Sequence, residues 1–323
     1  MAGFGELTIL QHKVLTALVQ KFPAPQFVGA TLFGEMPAAS NLAEWDVIKR
    51  SRSMAEFVAP DSEAKIVSRM GIESMRATVA SIKEKKQLSG STMAWLRRPG
   101  TEHLPFAEQS IRSELEDLNF RLEFRKEWAR WQALSGSLTV DQEDVKFAVD
   151  YGLDATHTPT AGTAWSNPAA DILGDITDWK QLVAQDSGEM PAKAYCNSTV
   201  AEYLMKNDSV RDLMGEQLKS DVLQSGFLTR LLGLEITVYD AGFVNSSGSF
   251  VPFIGNDQFF LCAGTDFARY LVAPSTDPKS GFRPGKFAKA WEAEDPATVW
   301  VLVEENGLPV LTKVENILVA DVA

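Results

Sequence analysis

The sequence is poor in the residues that build reactive sites. It has two cysteines, Cys196 and Cys262, and three histidines, His12, His103 and His157, in 323 residues. The cysteines lie in apolar surroundings and read as buried thiols instead of a disulfide framework. No HExxH, CxxC, GxSxG, P-loop or dinucleotide fingerprint occurs, so metal, acyl-transfer and nucleotide chemistry lack their usual carriers. Asp171, Asp175 and Asp178 recur at helical spacing. Without the glycine and closing glutamate of a calcium loop they read as a solvated acidic face. The expectation is a chain that is not an enzyme, with no catalytic residue, no cofactor and no metal. Long apolar runs are missing too: none reaches 18 residues, which excludes a spanning helix. The N-terminus, MAGFGELTILQHKVLTALVQKF, lacks the basic start and apolar core of a secretory leader.

Positive charge is scarce except in one place. The chain carries 31 Lys and Arg against 43 Asp and Glu, a net of −12. Residues 49–98 hold eleven cations and five carboxylates, a net of +6, which leaves −18 for the remainder. A basic segment on an acidic body suggests a limb that docks on an acidic neighbour, most economically another copy of the chain. Lys83, Lys85, Lys86 and Arg69 are its candidate intersubunit cations, with a solvated charge run as the alternative. Trp45 and Trp95 lie near the limb and are candidate interface aromatics, with core packing as the alternative. The acidic balance argues against a dedicated nucleic-acid binder, which neutralises phosphates with clustered cations. It allows a surface that sits close to DNA without adhering.

Periodicity orders the rest. Leu7, Leu10, Val14, Leu15 and Leu18 predict a short amphipathic helix over 6–20, ended by Pro23 and Pro25. Residues 26–60 have scattered aromatics without period and read as an arm; 61–92 reads as a two-armed ribbon needing a partner surface. The strongest helix spans 105–134, where Ile111, Leu115, Leu118 and Leu122 form a core face continued by Arg125 and Ala129. Strands are predicted around 137–153, a loop over 154–170, and a helix over 171–185. A strand near 192–196 precedes helices through about 230. Buried strands follow at 236–243 and 258–264, joined by a turn at 245–249. In the last segment Asn306-Gly307 signals a turn between strands. Two α+β domains interleaved in sequence fit this order.

Several stretches, taken in their shared order, carry a resemblance. They are EFVAPDSEAKIVSRMG at 56–71, Lys83–Gly90, GTAWSNP at 162–168 with Asp178-Trp179, AYCNSTVAEYLMKNDSVRDLM at 194–214, FFLCAGTDFARY at 259–270, and DPATVWVLVEENGLPVLTKVENILVADV. Together they resemble the major capsid protein of tailed bacteriophages, the lambda-type capsid protein family. The resemblance implies the Hong Kong 97-type fold: an N-terminal arm (1–55), an extended loop (56–98), a peripheral domain with the long spine helix (99–165 and 275–323), and an axial domain (166–274). It implies self-assembly as pentamers and hexamers into an icosahedral head shell around double-stranded DNA, with a portal and room for a decoration protein. No fused scaffold extension is recognisable, so a separate scaffold protein is expected, and no cross-linking pair is identified. The expected location is the virion, after assembly in the host cytoplasm, with no membrane partner. The alternative is the shell of an encapsulin-type nanocompartment built on the same fold.

Overall fold

The computed structural model describes residues 10–49, 71–88, 104–142, 145–214, 225–293 and 298–323, with isolated positions at 54, 57, 60, 61, 63, 222 and 223. The chain forms two compact units, each assembled from three separate segments.

The first unit comprises Met1–Ala43, Ala77–Trp131 and Arg269–Pro309. Its helices are α1 (His12–Lys21), α2 (Val28–Leu32) and the long α3 (Leu104–Leu134). Its sheet takes strands β1 (Gly34–Pro37), β4 (Ala80–Gln87), β13 (Ala268–Ala273), β14 (Phe287–Ala293) and β15 (Thr298–Leu311). The order is β1-β13-β15-β14, with β4 also paired to β15. Its core joins Leu10, Leu15, Val19 and Phe22 around α1 to Ile111, Leu115, Leu118 and Leu122 of α3 and to Val299, Val301 and Val303 of β15. Alternation puts Val299, Val301 and Val303 of β15 on that face, and beyond Val303 the strand is buried on both sides.

The second unit comprises Glu44–Arg76, Gln132–Ala268 and Val310–Ala323. Strand β2 (Leu42–Lys49) pairs with β3 (Gly71–Thr78), and β5 (Ser137–Gln142) with β6 (Val145–Asp150). The main sheet uses β7 (Lys193–Cys196), β8 (Arg230–Leu231), β9 (Leu234–Val238), β12 (Gln258–Cys262) and β16 (Ile317–Asp321) in the order β16-β12-β7-β9-β8. Between β7 and its parallel neighbour β9 run helices α5 (Ser198–Lys206) and α6 (Asp208–Leu213). Helix α4 (Ile172–Ser187) starts at Asp171, whose carboxylate accepts from the Gly174 N–H at 3.0 Å, and stops at left-handed Gly188. The core gathers Trp165, Ile172, Ile176, Trp179 and Val183 against Phe259, Leu261 and Leu318. Strands β10 (Gly242–Val244) and β11 (Phe250–Pro252) form a small hairpin.

Four expectations are corrected. Residues 71–87 hold two strands, but they do not pair as a ribbon: β3 joins β2 and β4 joins β15. Backbone hydrogen bonds that a bare hairpin would leave to water are met by strands from elsewhere in the chain. The supposedly aperiodic stretch 26–60 contains α2 and β1, which are too short for a pattern to emerge, and β2, where buried Ala43, Trp45 and Val47 alternate with exposed Glu44 and Asp46. The 245–249 turn closes β10 on β11 instead of joining 236–243 to 258–264. Asn306 and Gly307 make no turn at all; they lie within β15, paired with Ser81 and Ala80. The glycine is there for space. A β-carbon on it would stand 2.5 Å from the Tyr270 ring.

Candidate functional site

The spine helix α3 changes chemistry halfway along. Its first half buries Ile111, Leu115, Leu118 and Leu122 in the core of the first unit. The same stripe then continues through Lys126 and Arg130, one turn apart, not through Arg125 and Ala129 as the spacing suggested. Arg125 is half-buried, its guanidinium 4.1 Å from the Trp128 ring centre.

Lys126 is the hub. Its Nζ donates to Glu35 Oε1 on β1 at 3.0 Å, to Glu305 Oε1 on β15 at 3.1 Å and to Glu123 Oε1 at 3.4 Å, and lies 5.0 Å from the centre of the Tyr270 ring. Arg130 shares two of these neighbours, with Nη2 3.9 Å from Glu35 Oε1 and its guanidinium 5.0 Å from the Tyr270 ring centre, and its Nη1 lies 3.3 Å from Glu127 Oε2. Glu127 accepts from the Trp131 indole at 2.8 Å and from the Gly29 backbone N–H at 2.7 Å. A side chain at position 29 would collide with that carboxylate, its β-carbon 2.7 Å from Oε2. Lys286 completes the set, 2.6 Å from Glu123.

Three cations thus face four carboxylates, and the protonation of each follows from its surroundings. Burial pulls the Lys126 ammonium down, but Glu305, Tyr270, Glu123 and Glu35 outweigh it and hold the group above its ordinary value. Glu123 is pushed up by burial and held below the usual carboxylate range by Lys126 and Lys286 together. Glu305 stays raised, because burial outweighs its share of Lys126, and its Oε2 has no hydrogen-bond partner among the described residues. A proton on Glu305 would bring the charges into balance. The cluster pins β1, α2 and β15 to the helix, and it is a clamp.

The limb lysines are placed on β4 against their own chain. Lys86 lies 3.0 Å from Glu114 and 2.5 Å from Asp117 of α3, Lys83 is 3.3 Å from Glu304, and the Lys85 ammonium sits 4.9 Å from the Trp300 ring centre. Between them Glu84 pairs with Arg121 at 2.5 Å. Trp45 is buried in the second unit, its ring centre 6.2 Å from that of Tyr151. Arg69 and Trp95 lie outside the described residues. The two lysines with the closest partners, Lys83 and Lys86, thus have carboxylates at hand before a neighbour arrives.

In the second unit His157 is buried and structural, with Nδ1 2.6 Å from the Ile317 carbonyl and Nε2 3.1 Å from Asp186. Asp175 accepts from the Trp165 indole at 2.9 Å, so one member of the predicted acidic face orients a core tryptophan and Asp171 caps a helix. Cys196 and Cys262 are free and buried, and burial pushes both thiols up to about 12. Among the described residues no three His, Cys, Asp or Glu side chains converge to hold a metal ion, and no helix is long and apolar enough to cross a membrane.

Comparison with known proteins adds the family. No curated protein matches the chain. Among solved structures, a protein described as a prophage capsid protein from Escherichia coli is similar at a TM-score of 0.70 and 14% identity, over 97% of this chain and 99% of that one. A phage-related protein from Bordetella bronchiseptica gives 0.63 at 13% identity, over 96% and 97%. The mature capsid of bacteriophage PhiM1 gives 0.55 at 10%, over 93% and 88%. At these identities the likeness establishes the fold, which is the α+β Hong Kong 97-type capsid fold. The family model for phage major capsid protein E matches residues 11–322, and the chain belongs to that family of shell-forming virion proteins.

Proposed function

We propose that copies of this chain close as pentamers and hexamers into an icosahedral head around packaged double-stranded DNA. In this reading residues 1–55 are the arm and 56–98 the extended loop; α1, β1 and β4 within them pack on their own subunit, and contacts with neighbouring copies fall to the parts that do not. Residues 99–165 and 275–323 form the peripheral domain, and 166–274 the axial domain. Assembly proceeds with a separate scaffold protein and a portal, and a decoration protein joins where the head carries one. Lys85, the limb lysine without a carboxylate partner among the described residues, is the cation best placed to meet an acidic neighbour. The role is structural: many weak contacts, repeated over every copy, sum to a stable shell.

The observation that carries this reading is the family match over residues 11–322. The net charge of −12 supports the DNA part, because an acidic lining repels phosphates and lets the packaged duplex slide. The test is electron microscopy of the chain co-expressed with a scaffold protein. Closed shells with five- and six-fold clusters of one subunit are expected. A chain that stays monomeric under those conditions would defeat the proposal.

A further inference from the structure

Residues 274–286, PSTDPKSGFRPGK, connect β13 to β14 and close on themselves. Pro274 and Pro284 bridge the neck. Ser275 Oγ donates to Glu304 at 2.9 Å, and Asp277 accepts from the Lys279 N–H at 2.9 Å while pairing with Lys289. Ser280 Oγ donates to the Asp277 carbonyl at 2.7 Å and accepts from the Phe282 N–H at 3.1 Å. Bonds within the loop, together with anchors to Glu304 and Lys289 on the neighbouring strands, hold its tip in one conformation.

That conformation is an unusual one. Gly281 (φ 66°) and Phe282 (φ 54°) are both left-handed. Glycine adopts this freely, whereas a bulky side chain meets its own backbone there. Among the described residues Leu232 (φ 48°) is the other non-glycine case, and it has a local reason. It forms the two-residue turn with Gly233 between β8 and β9, where primed geometry is required, and it packs on the core of the second unit. Phe282 has no such return: its side chain stands 63% exposed. Lys279 and Arg283 flank it, both exposed, and neither forms an ion pair among the described residues. Strain held at an exposed aromatic points to a use outside the subunit.

We propose that Phe282 is a contact knob that seats in an apolar depression on a second copy of this chain, with Lys279 and Arg283 meeting carboxylates at its edge. The inference rests on the shell-forming reading above. A copy of the chain is the fitting partner because 43 acidic against 31 basic residues make its surface acidic. An aromatic beside an arginine is also the composition of interface residues that carry binding energy.

The test compares wild type, Phe282→Gly, Phe282→Trp and the double variant K279E/R283E for subunit melting and for shell yield by sedimentation and electron microscopy. Glycine relieves the backbone, so F282G should melt no lower than wild type while its shell yield falls by about tenfold or more. F282W should keep the yield, and K279E/R283E should lose it most at low salt. F282G shells at wild-type yield would overturn the inference. So would a large drop in F282G melting, which would mean that the ring packs within the subunit. Normal shells that fail to retain DNA would assign the loop to nucleic acid and also overturn it. A wild-type chain that forms no shell takes down the proposed function, and the knob with it; F282G matching a wild type that does form shells takes down the knob alone.

Discussion

Lys126 Nζ and Glu305 Oε1 meet at 3.1 Å with side chains only 2% and 3% exposed, so an ammonium and a carboxylate share the interior between the spine helix and β15. Such a pair contributes little net stability over an apolar replacement of both members, but removal of one member strands the other. The two partners are not equivalent: among the described residues Lys126 serves three carboxylates and Glu305 has one cation within hydrogen-bond reach.

Lys126→Met is therefore expected to cost the subunit about 3–5 kcal/mol in urea unfolding, because Glu123 and Glu305 lose their shared cation. Glu305→Gln keeps the shape and removes a charge that burial already disfavours, and should cost no more than about 1.5 kcal/mol. The two differ in pH dependence. Glu305 has a raised folded pKa, so its contribution is full below its unfolded value and is lost as pH rises through the folded one. The advantage of wild type over E305Q should shrink as pH climbs out of the acid range. The deficit of K126M should shrink as pH falls into it. Equal urea midpoints for K126M and wild type would show that Lys126 does not hold the cluster.

Leu118 lies in the middle of the apolar half of the helix, 1% exposed. Leu118→Ala should destabilise the subunit by about 2–5 kcal/mol, with the loss visible by chemical denaturation before any shell forms. A variant with wild-type stability would mean that the neighbouring side chains collapse into the space.

Gly307→Ala tests whether glycine serves close approach. The added methyl would overlap the fully buried Tyr270 ring, and overpacking of this kind costs about 1–3 kcal/mol. Thermal melting of the variant decides it, and an unchanged midpoint would show that β15 can shift away from the ring.

The limb cations separate by their partners. Lys83→Glu would set a carboxylate against buried Glu304 and should damage folding. Lys85 is exposed and among the described residues meets only the face of Trp300, an interaction worth about 0.5–1 kcal/mol, so Lys85→Glu should fold normally. Its shell yield should fall at low ionic strength and recover with salt. Wild-type yield at low salt would assign Lys85 to its own subunit.

Both thiols should resist a thiolate-trapping reagent at neutral pH in the folded protein and react together after unfolding, because burial raises each to about 12. Modification of either cysteine in the folded chain would show an opening that exposes β7 or β12.

The legible part of this fold was whatever spans several turns or strand repeats. The 111-115-118-122 spacing marked the core face of α3, and Ile172, Ile176, Trp179 and Val183 marked that of α4, all of them buried. The charge cluster was not legible, because Lys126 and Glu305 look like surface residues until the fold brings together two positions 179 apart in sequence. One clue was available: the apolar stripe lands on Lys126 and Arg130 when continued by four-residue steps. Asn306-Gly307 misled for a different reason. The pair is the commonest hairpin signal, yet Asn306 donates to the Pro274 carbonyl at 2.8 Å and Gly307 makes room for a ring. The ribbon lysines had partners that local patterning cannot display: Glu304 and Trp300 reach Lys83 and Lys85 through strand pairing across more than 200 residues, and Glu114 and Asp117 reach Lys86 from the helix.

The placement of β15 and β16 has a consequence for synthesis. Residues 298–309 supply the strand on which β4 and β14 of the first sheet are paired, and 317–321 supply the edge strand paired with β12 in the second. Chains that fold on the ribosome usually complete domains from the N-terminal side onward. Here neither unit can close until the ribosome has moved beyond residue 298, and the second needs residue 321 as well. Until those strands have been made, a nascent subunit has no closed unit with which to meet a neighbour, so shell contacts between copies on one message must wait for them.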